Sequence, residues 1–186
     1  MNKSVKYILV GTASFCFFSC SPKLKSILER GVLETNPHLR YESDSLSAFV
    51  LYEGYVVNFN KNRRVPNYTI HRLFPEQLKD SNGVRAKRSN NFKIDPRIKS
   101  HSAIRADYYQ SGYDRGHYVP AGDFVYSQHL KDETFIYTNV SPQLKELNRY
   151  GWKYLEAAIR KKVKRCNCEA YVITGTLLKE DSKNIG

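Results

Sequence analysis

Phe135 to Glu156 reads FIYTNVSPQLKELNRYGWKYLE, and upstream of it Ser111 to His117 reads SGYDRGH. The shorter stretch sets a carboxylate, a guanidinium, a glycine and an imidazole side by side from Asp114 to His117. In an extended strand alternate side chains share a face, so Arg115 and His117 project together. Phosphodiester hydrolysis uses that pairing: a neutral imidazole takes a proton from water while a cation meets the charge growing on the phosphate. Gly116 lets backbone or substrate come close. Four residues alone carry little specificity, and a surface Asp-Arg pair followed by a structural histidine fits them as well.

Around these stretches the elements alternate. Trp152, Leu155, Ile159 and Val163 recur at helical spacing, and Lys161, Lys162, Lys164 and Arg165 place cations at the negative pole of that helix. Phe135 to Val140 and Ala170 to Thr174 read as strands. Toward the N-terminus, Ala48 to Tyr52 and Tyr55 to Phe59 form a hairpin about Glu53-Gly54, and Tyr68 to Leu73 adds a third strand stopped by Phe74-Pro75. Residues 79–112 are rich in Lys, Arg, Asn and Ser and form a long basic loop region. The expected class is α+β, with an antiparallel sheet and at least one helix packed on it.

The chain has 186 residues, enough for one domain, and a formal charge of +12. Such a charge favours a polyanionic partner, whether nucleic acid, an anionic membrane surface or an acidic glycan. Lys3 and Lys6 precede an uncharged stretch, Tyr7 to Phe18, and Ser19-Cys20 follow it. A run of about 12 apolar residues is too short to span a bilayer as a helix and fits the core of an export signal. The division expected is a signal over residues 1–19, a tether over 20–45 and a domain over 46–186. The ending resembles a lipoprotein signal with Cys20 as the acylated residue, although Phe17 stands where leucine is usual. That implies a bacterial cell envelope location, lipid-anchored, or simple secretion without the lipid. Cys166 and Cys168 are left unexplained: a bridge around Asn167 closes a very small loop, and two cysteines do not make a metal site.

Together the two opening stretches closely resemble the DNA/RNA non-specific endonuclease family, of the mitochondrial endonuclease G type. The resemblance is carried by Asp114-Arg115-Gly116-His117, then Thr138-Asn139-Val140-Ser141-Pro142-Gln143, Leu147-Asn148 and Trp152-Lys153-Tyr154-Leu155-Glu156. Arg88 to Phe92 with Asp95, and Ala106-Asp107-Tyr108 before Ser111-Gly112, extend it upstream. It implies the ββα-metal nuclease fold and hydrolysis of DNA and RNA. His117 matches the general base. Asn148 matches the direct ligand of one Mg²⁺, with Mn²⁺ as a substitute, and hard oxygen donors with retained water suit that ion. Glu156 matches an acid that holds the hydrated metal through water; it lies about 12 Å beyond Asn148 along a regular helix, so direct ligation by both is not expected. Arg115 and Arg88 match phosphate-contacting arginines. Asn139 matches an asparagine near the metal site, or a brace for the loop before Pro142. Asp114 is expected to position Arg115 or local backbone.

Relative to the family the sequence stops early, after Val172 to Thr176, so a C-terminally truncated domain is expected. A rival reading is a non-catalytic lipoprotein that binds nucleic acid or other polyanions; a third is an adhesin for acidic glycans, which leaves the order of the motifs unexplained. Tyr108, Tyr109 and Tyr113 lie beside the basic loop, where they could stack on bases or pack in the core. His38, His71, His101 and His129 show no metal-binding spacing and read as structural or exposed.

Overall fold

The computed structural model describes residues 6–10, 14–18, 46–80, 83–176 and 185. Strands β1 (Lys6–Val10) and β2 (Ser14–Phe18) pair antiparallel within the segment read as an export signal. Cys20, the tether over 20–45 and His38 lie outside the described residues. No helix among the described residues is long and apolar enough to cross a membrane.

Six strands follow among the described residues: β3 (Ser47–Leu51), β4 (Tyr55–Asn60), β5 (Val65–Leu73), β6 (Asp114–His117), β7 (Val140–Gln143) and β8 (Ala170–Gly175). One antiparallel sheet runs in the order β3-β4-β5-β8, and β6 with β7 makes a separate antiparallel ribbon. The expected hairpin forms the β3–β4 pair, where Gly54 is required: a Cβ there would come within 2.8 Å of the Phe124 ring. The third expected strand starts earlier, at Val65, after Arg64 turns the chain with φ of 56°.

Tyr55, His71 and Val172 lie opposite one another and share one face of the sheet. Over the β3–β4 half of that face, Val50, Val57 and Phe59 pack against Val119, Phe124 and Leu130. Over the β5–β8 half, Leu73, Ala170 and Val172 pack beneath Ile159 and Val163. Burying each such side chain contributes about 1.5–3 kcal/mol.

Ile159 and Val163 belong to the longest of the three α-helices among the described residues, which are α1 (Arg105–Tyr108), α2 (Gln128–Glu133) and α3 (Lys153–Cys166). The apolar spacing read from Trp152 onward is that of α3, and its basic end is in place. Before it the chain makes a wider π-helical turn, Leu147–Trp152. The helix stops at Asn167, whose left-handed backbone (φ 46°, ψ 45°) closes a cap in which the Cys168 amide donates to the Val163 carbonyl. That reversal brings Cys166 and Cys168 to 5.2 Å between Cα atoms, and they form a disulfide. The expectation of an unexplained pair is corrected: the left-handed cap supplies the turn that so short a bridge needs.

A second correction concerns Phe135 to Val140. It is not one strand: Tyr137–Asn139 is a 3-10 turn, and β7 begins at Val140. Nearly continuous burial of these residues mimics a strand in sequence, but the Thr138 and Asn139 side chains hydrogen-bond elsewhere and bend the chain.

The basic loop region is also more ordered than its composition implies, because one carboxylate organises it. Asp95 is fully buried and accepts from the Arg97 amide (3.0 Å), the Arg97 guanidinium (2.8 and 3.0 Å) and the Tyr52 hydroxyl (2.5 Å). Arg97 also donates to the Leu51 carbonyl at 2.6 Å and lies over the Tyr52 ring. The loop is thereby pinned to the end of β3. Asp95→Ala, which leaves these donors without their acceptor, is expected to cost about 2–4 kcal/mol. A urea unfolding curve with a lowered midpoint and unchanged slope checks this, and an unshifted midpoint refutes it.

Candidate active site

The Asp-Arg-Gly-His motif is strand β6, hydrogen-bonded antiparallel to β7 with Asp114 opposite Gln143 and His117 opposite Val140. Gly116 is needed here for packing: a Cβ would fall 2.3 Å from the Gln143 side-chain oxygen and 2.7 Å from its Cβ. The group that approaches Gly116 is therefore Gln143 of the neighbouring strand.

The His117 ring lies between two aromatic side chains, 5.4 Å from Phe92 and 5.0 Å from Phe135 by ring centroids. An arginine covers each of those rings: Arg115 stands 4.2 Å from the Phe92 centroid and Arg88 stands 4.9 Å from that of Phe135. Only 9% of His117 is exposed, and its Nε2 is buried with no hydrogen-bond partner among the described residues. Burial, followed by the charges of Arg88 and Arg115, pushes the imidazole down to about 3. It is therefore neutral near pH 7, with a free nitrogen.

Arg88 is held by its own loop, donating to the Asn90 side chain at 2.6 Å, with Asn90 in a left-handed conformation (φ 52°). Burial lowers the Arg88 guanidinium, and the charges acting on it come from Glu156 and Arg115. One guanidinium thus stands within electrostatic reach of His117, Arg115 and Glu156.

Asn148 reaches the site from the π-helical turn. Its amide nitrogen donates to Asp114 at 2.9 Å, and Arg149 grips the same carboxylate with two bonds of 2.8 Å. Asp114 therefore positions Asn148 and Arg149, which corrects the expectation that it serves Arg115 or local backbone. With its nitrogen anchored, the Asn148 amide oxygen accepts no hydrogen bond among the described residues and is available to a hard cation. A conventional cluster of three or more His, Cys, Asp or Glu ligands is absent among the described residues. A hydrated ion held by one amide oxygen fits the side chains that are here.

Glu156 projects from α3, with 19% of its side chain exposed, and lies 3.6 Å from Arg160. Burial, with the nearby Asp123 charge, pushes its carboxyl up to about 7. Arg160 also donates to Asp123 at 2.7 Å, and Asp123 bonds the fully buried His71 at 2.9 Å. Through this chain of contacts Glu156 is tied to the centre of the sheet.

Asn139 adjoins His117 through the backbone, its carbonyl accepting from the Tyr118 amide at 2.9 Å, while its side chain is engaged elsewhere. It is fully buried, accepts from the Val119 amide, and donates to the Val119 and Thr134 carbonyls, each at 3.0 Å. Every polar atom of its amide is occupied, so of the two roles considered the loop brace is the one observed. His129 lies near Glu53 and Glu133 at the surface.

The profile of the DNA/RNA non-specific endonuclease family matches residues 35–186. The chain belongs to that family. It is 38% identical to Nuclease C1 of Cunninghamella echinulata var. echinulata, covering 84% of this chain and 58% of the relative. It is 34% identical to mitochondrial endonuclease G of Homo sapiens, covering 74% of this chain and 46% of the relative. Among solved structures, EndoG in a complex with EndoGI superposes with a TM-score of 0.64 at 34% identity, covering 72% of this chain and 56% of that one. The chain spans about half the length of the curated relatives it matches. The fold is that of the ββα-metal nucleases.

In this endonuclease-family chain the depressed His117 has a stability consequence. The unfolded imidazole binds its proton near the ordinary 6.5, whereas the folded one waits until about 3. Between those values the unfolded state holds the extra proton, so stability falls as pH drops through the window. Linkage puts the penalty at about 2 kcal/mol by pH 5. His117→Leu removes the titrating group, so its stability relative to the parent should rise on acidification from pH 8 to pH 5. Thermal melts at the two pH values measure this, and a difference that does not change with pH contradicts it.

Proposed function

We propose that this chain is a metal-dependent endonuclease that hydrolyses phosphodiester bonds of DNA and RNA with little sequence preference. The observation that carries the reading is the unpartnered Nε2 of His117, held neutral between two rings that each bear an arginine. A phosphate entering between Arg88 and Arg115 offsets the charges that depress the imidazole. Its basicity then rises when the substrate is bound. His117 takes a proton from the attacking water, and the two arginines stabilise the charge gathering on the phosphate oxygens. Asn148 would hold Mg²⁺ or Mn²⁺ through its free amide oxygen, and Glu156 would hold the water around it. Such an ion, when bound, supplies further stabilisation of the negative charge on the phosphate and the leaving oxygen. Asp114 keeps Asn148 in one orientation, and Arg160 does the same for Glu156. Low sequence preference follows if contacts go to phosphates and not to base edges.

Plasmid DNA incubated with the purified chain and Mg²⁺ tests this. Nicking is expected, EDTA should stop it, and His117→Ala should slow it by about 100-fold or more. Asn148→Ala should raise the metal concentration needed. Mobility shift of the plasmid without cleavage, under all metal conditions, would instead favour a polyanion-binding protein.

The same reading includes export and a lipid on Cys20, supported by Lys3, Lys6 and the uncharged run that follows. Radiolabelled palmitate should enter the chain in bacterial cells and fail to enter Cys20→Ser. Equal labelling of both rejects the anchor.

A further inference from the structure

Six of the described arginines are held by acidic side chains. Arg64, Arg72, Arg85, Arg97, Arg149 and Arg160 each pair with a carboxylate. The Arg105 side chain makes no hydrogen bond or ion pair among the described residues, and neither does that of Arg115, which lies over the Phe92 ring. These two line one open groove of about 580 Å³, together with Lys93, Phe92, Asn90 and Tyr137. No carboxylate among the described residues lines it. Arg115 and Phe92 also belong to the enclosure around His117, so the groove begins where that enclosure ends.

Arg105 and Arg115 also border a second hollow of about 250 Å³, whose aromatic walls are Tyr108, Tyr109 and Tyr113. Asp114 reaches it too, but that carboxylate is already bound to Asn148 and Arg149. The tyrosines differ in kind. Tyr108 is buried and stacks on Tyr137, as a core residue does. Tyr109 is 68% exposed beside two cations. The loop that carries it makes two left-handed turns, at Gln110 (φ 55°) and Gly112 (φ 85°). Gln110 adopts that backbone at a cost glycine would avoid. Bonds from Ser111 to the Tyr108 carbonyl and from the Tyr113 amide to Ser111 hold the loop in place. An exposed aromatic face beside unpaired guanidiniums is the arrangement by which single-strand binders take a nucleotide, base on ring and phosphate on cation.

We propose that these joined hollows form a subsite for a nucleotide next to the scissile phosphate, with Arg105 holding its phosphate and Tyr109 and Tyr113 stacking its unpaired base. The inference rests on the nuclease reading and extends it to the form of the substrate. A base can stack there only after leaving its helix, so the subsite favours single-stranded DNA or RNA, or locally opened duplex. A paired duplex engages Arg105 but not the tyrosines.

Binding without turnover tests this on the full chain. Fluorescence anisotropy in EDTA, with a labelled single-stranded oligonucleotide and with its duplex, compares the parent with Arg105→Ala, Tyr109→Ala and Tyr109→Phe. Tyr109→Ala should weaken the single strand about tenfold and leave the duplex unchanged, while Tyr109→Phe keeps the parent's affinity. Arg105→Ala should weaken both and lower the salt dependence by about one phosphate contact. In the presence of Mg²⁺, bis(p-nitrophenyl) phosphate, which has no neighbouring nucleotide, should be hydrolysed equally by all four proteins. Equal single-strand binding by the parent and Tyr109→Ala overturns the proposal, as does an equal loss on duplex and single strand. Tight, Tyr109-dependent binding in a protein that cleaves nothing sinks the catalytic reading and leaves the subsite standing.

Discussion

Asp114 sits three residues before His117 on one strand and holds Asn148 from the π-helical turn, so a single carboxylate links the proposed base to the proposed metal ligand. The strand that bears both Asp114 and His117 is fixed by its pairing with β7 and by the close approach of Gln143 to Gly116. The turn is fixed from its other end by Trp152, whose indole donates to the His117 carbonyl at 3.2 Å. Helix and ribbon are therefore tied together at two points, one through each functional side chain's own segment. The exposed half of this link, Arg149, adds little stability by itself. Its effect is to occupy Asp114 and leave Asn148 one available orientation.

A second constraint is the enclosure of His117. Phe92 and Phe135 flank the imidazole and leave little of it exposed, and Arg88 and Arg115 surround it with positive charge. Such a site is unfavourable in the empty protein, because a buried nitrogen lacks a partner and a basic group cannot take its proton. The rest of the fold tolerates it through extensive apolar packing against both halves of the sheet. Phosphate is the ligand that relieves the electrostatic part. The arginines weaken the base in the empty site, and an anion lying between them offsets that effect.

Much of this was legible in the sequence because it is local. The four residues of β6, the apolar spacing of α3 and the hairpin about Gly54 are short-range patterns, and each formed where read. Arg88 acts electrostatically on His117, on Arg115 and on Glu156, three residues far from it in the chain. What could not be read depends on distant contacts. His71 and Asp123 lie 52 positions apart, and neither stands in a pattern that announces the pair. Arg160 was the accessible exception, since it follows Glu156 by one helical turn. Nothing in the sequence around Asn139 names its partners; only the three-dimensional path of Val119 shows where its amide goes. The Phe135 to Val140 segment failed for a related reason, since burial on all sides leaves no periodicity to separate a strand from a tight turn.

The π-helical turn at Leu147–Trp152 phases one part of the chain against another. Each residue of a regular helix rotates the chain by about 100°, so loss of one residue there would swing the amide of Asn148 away from Asp114 while α3 stayed seated on the sheet. Substitutions within the turn leave that angle alone, whereas a change in its length does not. The spacing between Asn148 and Glu156 is therefore a mechanical setting of this nuclease fold: the segment can drift in composition far more freely than in residue count.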